Sequence, residues 1–147
     1  MNCALLVALA LALTGSALAE PSGDGRIRFV LTDLRSSSGV VRCSLFAAAN
    51  ADAFPLHPDH AVASADAPIH DRRAICEFAH LPPGDYAVAS FHDENNNGRL
   101  DATAFRIPKE GVAVSNNARV FFGPPRWKDA RFAFPGGTLE VTAKMRY

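Results

Sequence analysis

Leu81 to Asp101 reads LPPGDYAVASFHDENNNGRLD, and the fold turns on its three parts: a Pro-Pro-Gly break, an apolar extended run, and an asparagine-rich turn. In an extended chain, Tyr86, Val88 and Ser90 fall on one face and Ala87, Ala89 and Phe91 on the other. Both faces are nearly continuous in apolarity, which marks a central strand with neighbours on either side. Pro82, Pro83 and Gly84 stop anything before it, and the turn residues stop it after Asp93.

The same period of two extends outward in both directions. In RRAICEFAHL (72–81), Ala74, Cys76 and Phe78 share a face opposite Arg73, Ile75 and Glu77. GRIRFVLTDL (25–34) alternates Ile27, Phe29 and Leu31 against Arg26 and Arg28, and SSSG (36–39) then leads into VVRCSLFA, a hairpin signal. TLEVTAKMRY (138–147) sets Leu139, Val141, Ala143, Met145 and Tyr147 against polar partners, after a short RFAF. Between these runs, Asn50 to Pro68 reads mainly as connection with room for one helical turn near Phe54, and Phe105 to Asn117 and Phe122 to Arg131 read as irregular or short-strand connections. This makes about seven short strands with no helical pattern long enough for a βαβ unit, so the chain is all-β and a β-sandwich. The final strand, alternating and ending in an aromatic, raises an outer-membrane barrel as a rival; ten prolines and long polar loops argue against it.

The first nineteen residues, MNCALLVALALALTGSALA, form an apolar run ending in Ala17-Leu18-Ala19, as a secretory signal with cleavage after Ala19 does. Its only positive charge is the terminal amine. The sequence therefore predicts a signal peptide over 1–19 and one β-sandwich domain over 20–147, periplasmic or secreted. No membrane span is expected after cleavage. Fifteen basic and fifteen acidic residues cancel without forming a basic block, which disfavours nucleic acid as a partner. Cys3 departs with the signal, leaving Cys43 and Cys76 in an oxidising compartment. Both share a face with core-type residues, so a disulfide is expected, worth about 3 kcal/mol for a loop of about 30 residues.

The chemistry concentrates in HDENNNGRLD (92–101). Asp93, Asn95, Asn97 and Asp101 stand at positions 1, 3, 5 and 9 of a calcium loop, with Gly98 at position 6 and the Arg99 carbonyl at position 7. Leu100, at position 8, is expected to pin the loop to a core. Position 12 is Ala104 where an EF-hand carries a bidentate Glu, so calcium, the one cofactor suggested, would bind weakly. Glu110 is placed to fold back and supply the missing carboxylate. The competing reading is a metal-free turn in which Asp and Asn side chains cap their own backbone and Gly98 supplies positive φ.

His92 next to carboxylates suggests a small metal-dependent hydrolase using His92, Asp93 and Glu110, against a plain strand-end histidine. The other histidines form no H-x-H or H-x-x-x-H pair, and no G-x-S-x-G elbow occurs, so the reading disfavours an enzyme. Trp127, with Phe121 and Phe122 nearby, offers either a surface for carbohydrate or peptide or a cap on the core.

Taken together, LPPGDYAVASFHDENNNGRLD, FRIPKEGVAVSNN and FFGPPRWKDARFAF resemble an uncharacterised exported bacterial family, the domain of unknown function numbered 2141. The resemblance rests on Pro83-Gly84, Tyr86, His92-Asp93, Asn95, Asn97-Gly98, Asp101, Ile107-Pro108, Glu110-Gly111 and Ser115-Asn116. It implies an exported β-sandwich and supplies no activity. Arg106 departs from it, standing where such sequences carry a small Gly before Ile-Pro. The Pro83-Gly84-Asp85-Tyr86 element is also similar to the strand starts of transthyretin-like modules, so the sandwich is expected to be immunoglobulin-like or transthyretin-like. The function this supports is non-catalytic, in binding or envelope structure, with an unknown ligand or envelope partner.

Overall fold

The computed structural model describes residues 24–119 and 123–147. The leader read over 1–19 and the pair Phe121 and Phe122 lie outside them. Eight strands are formed: β1 (Arg26–Thr32), β2 (Val40–Ala47), β3 (Ala63–Ala67), β4 (Ala74–Phe78), β5 (Gly84–Asp93), β6 (Val112–Val114), β7 (Phe132–Phe134) and β8 (Thr138–Lys144). They lie in two sheets, ordered β4-β1-β8 and β3-β2-β5-β6, with β7 also paired to β5. So β1 and β2 are not the hairpin that the sequence suggests: the turn between them crosses from one sheet to the other. The fold is an all-β sandwich. The described strands number one more than the periodicity predicts, because β6 and β7 are three-residue pieces too short to show a period.

All pairings are antiparallel except β1 with β8, which run parallel from Arg26 opposite Thr138 to Thr32 opposite Lys144. Alternation places the core where the sequence puts it. Ile27, Phe29 and Leu31 of β1 and Ala74, Cys76 and Phe78 of β4 meet Val41, Cys43 and Leu45 of β2 and Tyr86 and Val88 of β5. Cys43 and Cys76 form a disulfide, with Cα atoms 6.4 Å apart, that ties the two sheets together.

Strand β5 is central, as its two apolar faces require. Its outer face carries a second, smaller core in which Ala87 of β5 and Phe46 of β2 are covered by Phe54, Val114, Ala130 and the partly buried Trp127. Two segments supply that cover. One is the Ala48–Ala53 3₁₀ turn and the Phe54 that follows it; the other is the four-residue helix α1 (Trp127–Ala130). Neither shows a period, so the sequence marks them only by room for a helical turn near Phe54 and by Trp127 as a cap on the core, and both are found. Buried Ser115 locks the second one down: its hydroxyl accepts the Val88 N–H at 2.9 Å and donates to the Ala130 carbonyl at 2.7 Å. No helix among the described residues is long and apolar enough to cross a membrane.

Candidate functional site

The loop leaves the end of β5, so Asp93 is its root and a strand residue at once. In a strand, consecutive side chains point to opposite faces. His92 therefore continues the inward row of Tyr86, Val88 and Ser90, and Asp93 points to the other face.

Fully buried Asp93 organises the turn. Its Oδ1 accepts the Asn97 N–H at 3.0 Å and its Oδ2 accepts the Gly98 N–H at 2.8 Å. Its Oδ2 also accepts Arg42 Nε at 2.6 Å. Arg42 reaches it diagonally across β2 and β5, where Val40 is the register partner of Asp93, and the same guanidinium binds Asp66 of β3 at 2.5 Å. Burial alone would push the Asp93 carboxyl up. The Arg42 hydrogen bond and the N–H groups of Gly98 and Asn97 outweigh it and hold Asp93 below the usual carboxylate range.

The rest of the loop closes on itself. Asn95 Nδ2 and Asn97 Nδ2 donate to the two carboxylate oxygens of Asp101 at 2.7 and 3.0 Å. Asn95 Oδ1 accepts the Asn97 N–H at 3.1 Å, and Asn97 Oδ1 accepts the Arg99 N–H at 2.9 Å. Gly98 sits at φ +78°, the left-handed conformation the turn requires, and a Cβ there would meet nothing within 4 Å. Glu110 does fold back. Almost fully buried, it accepts the Glu94 N–H and the Asp101 N–H, each at 3.0 Å, and so joins the two ends of the loop with one carboxylate.

Gly39, in the β1–β2 turn, packs against the root. At φ +71°, a Cβ there would stand 1.9 Å from the Asp93 carbonyl oxygen. From the same turn Arg35 pairs with Glu94 at 2.6 Å and lies over the Tyr147 ring, 4.4 Å from its centroid.

His92 is fully buried and both ring nitrogens are committed. Nε2 is 2.6 Å from the Ser38 carbonyl oxygen, which only accepts, so Nε2 carries the proton. Nδ1 is 2.7 Å from the Tyr147 hydroxyl, which itself accepts the Arg35 N–H at 3.1 Å. Burial pushes the Tyr147 phenol up, so its proton stays and is donated to Nδ1. His92 is thus a cross-link between β5, the β1–β2 turn and the residues after β8, separate from the loop carboxylates on the far face of the strand.

Leu100 corrects one expectation. It is 41 % exposed and pins nothing; Asp93 and Glu110 anchor the loop instead. Arg99 extends into solvent. Trp127 is half-buried and packs edge-on to Phe54, with centroids 6.0 Å apart, and Phe54 packs edge-on to Phe46 at 5.4 Å. It caps the second core, away from the loop cluster. Arg35, Arg42 and Tyr147, which the sequence reading does not single out, do as much at this end as the loop residues. Only Arg42 leaves a local trace, as a charge on the face of β2 opposite Cys43.

For a cation, the oxygen types are right, but the carboxylate of Glu110, which folds back where Ala104 leaves a gap, is engaged by the N–H groups of Glu94 and Asp101. No group of three or more His, Cys, Asp or Glu side chains among the described residues is placed to hold a metal ion. An ion would have to draw on amide and carbonyl oxygens, and the Asn95 and Asn97 amides would have to exchange their bonds to Asp101 for it. Beside the loop, a cleft of about 350 Å³ with mainly apolar walls opens between Ile107, Pro108, Val112 and Tyr147, with Glu110 at its edge.

Residues 30–142 match the family described as "Uncharacterized protein conserved in bacteria (DUF2141)". The chain belongs to this family. The DUF2141 match runs from β1 into β8 and so takes in both sheets, the disulfide and the entire loop cluster. No curated protein and no solved structure matches the chain.

Proposed function

We propose that this DUF2141 chain is an exported, non-catalytic sandwich module whose loop end is a preorganised platform, serving a binding or envelope-structural role. The observation that carries the reading is the self-closure of the loop around Asp93 and Glu110. Two buried carboxylates spend their oxygens on backbone N–H groups and Arg42, which suits holding a shape rather than moving protons. The hydrolase alternative needs His92 free beside Asp93 and Glu110. His92 has both nitrogens engaged elsewhere.

Calcium is the second reading, favoured by the return of Glu110 over a loop with the D-x-N-x-N-G-x-x-D spacing. The ion would be structural, with Asp93, Asn95, Asn97, the Arg99 carbonyl, Asp101 and Glu110 as the set from which its ligands come. At millimolar calcium, a site with a dissociation constant of about 10⁻⁴ to 10⁻³ M adds about 0.4 to 1.4 kcal/mol to folding. Thermal melting in calcium against EDTA tests it, with Asp101→Asn and Glu110→Gln as controls that keep an acceptor while removing charge. A saturable rise of a few degrees in Tm, absent from both variants, supports a structural ion. An unchanged Tm leaves the platform metal-free.

A further inference from the structure

The end of the loop and the segment after it carry an apolar tip that neither reading above uses. Phe105 is 87 % exposed, Ile107 61 % and Leu100 41 %, three of the seven exposed large hydrophobic side chains among the described residues, all within eight positions. The others, apart from Tyr147, are scattered as single residues, which is ordinary for a protein surface. A concentration of this kind marks a contact site.

The tip is held out by backbone bonds. Thr103 N–H donates to the Ile107 carbonyl at 2.8 Å, Arg106 N–H to the Thr103 carbonyl at 2.9 Å, and Lys109 N–H to the Asp101 carbonyl at 2.8 Å. Ala102 and Pro108 form a bridge across the base of this small hairpin. Arg106, at φ +59°, takes the left-handed conformation at its turn. The apolar side chains therefore stand on a built turn, directly joined to the platform through Asp101 and Glu110.

Charge identifies the occupant. Arg99, Arg106 and Lys109 flank the three apolar residues, all exposed, and their side chains make none of the ion pairs found among the described residues. The acids of the same stretch are turned inward: Asp93 to Arg42, Glu94 to Arg35, Asp101 to the loop amides and Glu110 to backbone N–H groups. Apolar side chains that can enter an acyl boundary, ringed by unpaired cations that stay at the headgroups, match an anionic lipid surface. We propose that the Leu100–Lys109 tip docks the protein onto anionic membrane, seating Phe105 and Ile107 in the interface with Arg99, Arg106 and Lys109 on the headgroups. This rests on the reading that the loop end is the working end, and names its partner.

The test uses the exported product of the full-length chain, its N-terminus sequenced so that a retained leader does not supply the binding. Sedimentation is measured with vesicles of phosphatidylcholine alone and with a phosphatidylcholine–phosphatidylglycerol mixture, in calcium and in EDTA. Binding to the mixture and not to phosphatidylcholine alone is expected. It should fall about tenfold or more in Phe105→Ser/Ile107→Ser, and about fivefold for each cation removed in Arg106→Ser and Lys109→Ser. All four positions are exposed, so the variants should keep the wild-type melting temperature. Absence of binding to the mixture, or binding that Phe105→Ser/Ile107→Ser leaves intact, overturns the proposal. Self-association by ultracentrifugation that the same double variant abolishes, without vesicle binding, also overturns it and assigns the tip to a second copy. Vesicle binding that persists in EDTA, with no calcium effect on Tm, keeps the tip and removes the calcium reading.

Discussion

Asp93 is buried, charged and bonded to three groups at once, which makes it the residue on which the loop end depends. Removing its charge leaves the Arg42 guanidinium with Asp66 alone and weakens the caps on Asn97 and Gly98. Breaking one side of such a pair is costly even where the guanidinium keeps some water, and Asp93→Asn should lose about 2 to 4 kcal/mol. The folded pKa lies below that of the unfolded chain, about 3.9 for an aspartate. The stabilisation is therefore complete above that value and is lost as pH falls through the depressed folded pKa. Denaturant melts of both proteins should differ most at neutral pH and converge below pH of about 4; a gap independent of pH would refute the charge argument. Arg106 is the opposite case. It holds φ +59° where the family resemblance places a glycine, so Arg106→Gly should stabilise the protein by about 0.5 to 1 kcal/mol, read as a raised denaturation midpoint. A loss of stability would mean that the arginine side chain repays its backbone strain.

Among the elements, those legible in the sequence are the ones whose period is set by burial. Strands β1, β2, β4 and β5 announce themselves because alternate residues must face one core, and the two cysteines follow from the same count. The hairpin that SSSG suggests between β1 and β2 does not form, because the two strands go to opposite sheets. What stays hidden depends on distant partners. The parallel pairing of β1 with β8 has no local signature, and β6 exists because Val112 and Val114 find β5. The return of Glu110 depends on the 101–109 hairpin, which sets the carboxylate against N–H groups at both ends of the loop. Leu100 departs from the calcium-loop frame, which assigns it a buried role that Asp93 fills here. The cover on β5 is legible only through Trp127 as a cap on the core and a helical turn near Phe54, since Asn50 to Pro68 is rich in Ala, Asp and Pro and holds one large buried side chain as anchor, Phe54. That anchor yields a prediction: Phe54→Ala should cost about 3 to 4 kcal/mol and shift Trp127 emission to the red, because the ring packed edge-on against Trp127 is gone. Unchanged emission would mean that Trp127 is held by other neighbours.

At the scale of the whole molecule, the sandwich consists of two sheets joined by side-chain packing and by a single covalent tie, Cys43 of β2 to Cys76 of β4. The cysteines are 33 positions apart, so reduction should cost about 3 kcal/mol, chiefly by freeing the unfolded chain. The folded state should persist, since the core around Phe29, Leu45 and Val88 does not need the bond to be apolar and buried. The denaturant midpoint should therefore fall while the dependence on denaturant steepens, because a reduced unfolded chain exposes more surface. The loop leaves β5 at Asp93, three residues beyond Ser90, the register partner of Cys43, and its carboxylate bonds run to Arg42 and to backbone N–H groups, none of them to the cysteines. Any calcium effect on stability should then add to the effect of reduction within about 0.5 kcal/mol. Measuring both in one set of urea titrations decides whether the loop end is an independent platform. Additivity places the platform on β5 and its neighbours alone. A calcium effect that vanishes on reduction would mean that the platform needs the two sheets held in register, and would move the working unit from the loop to the whole sandwich.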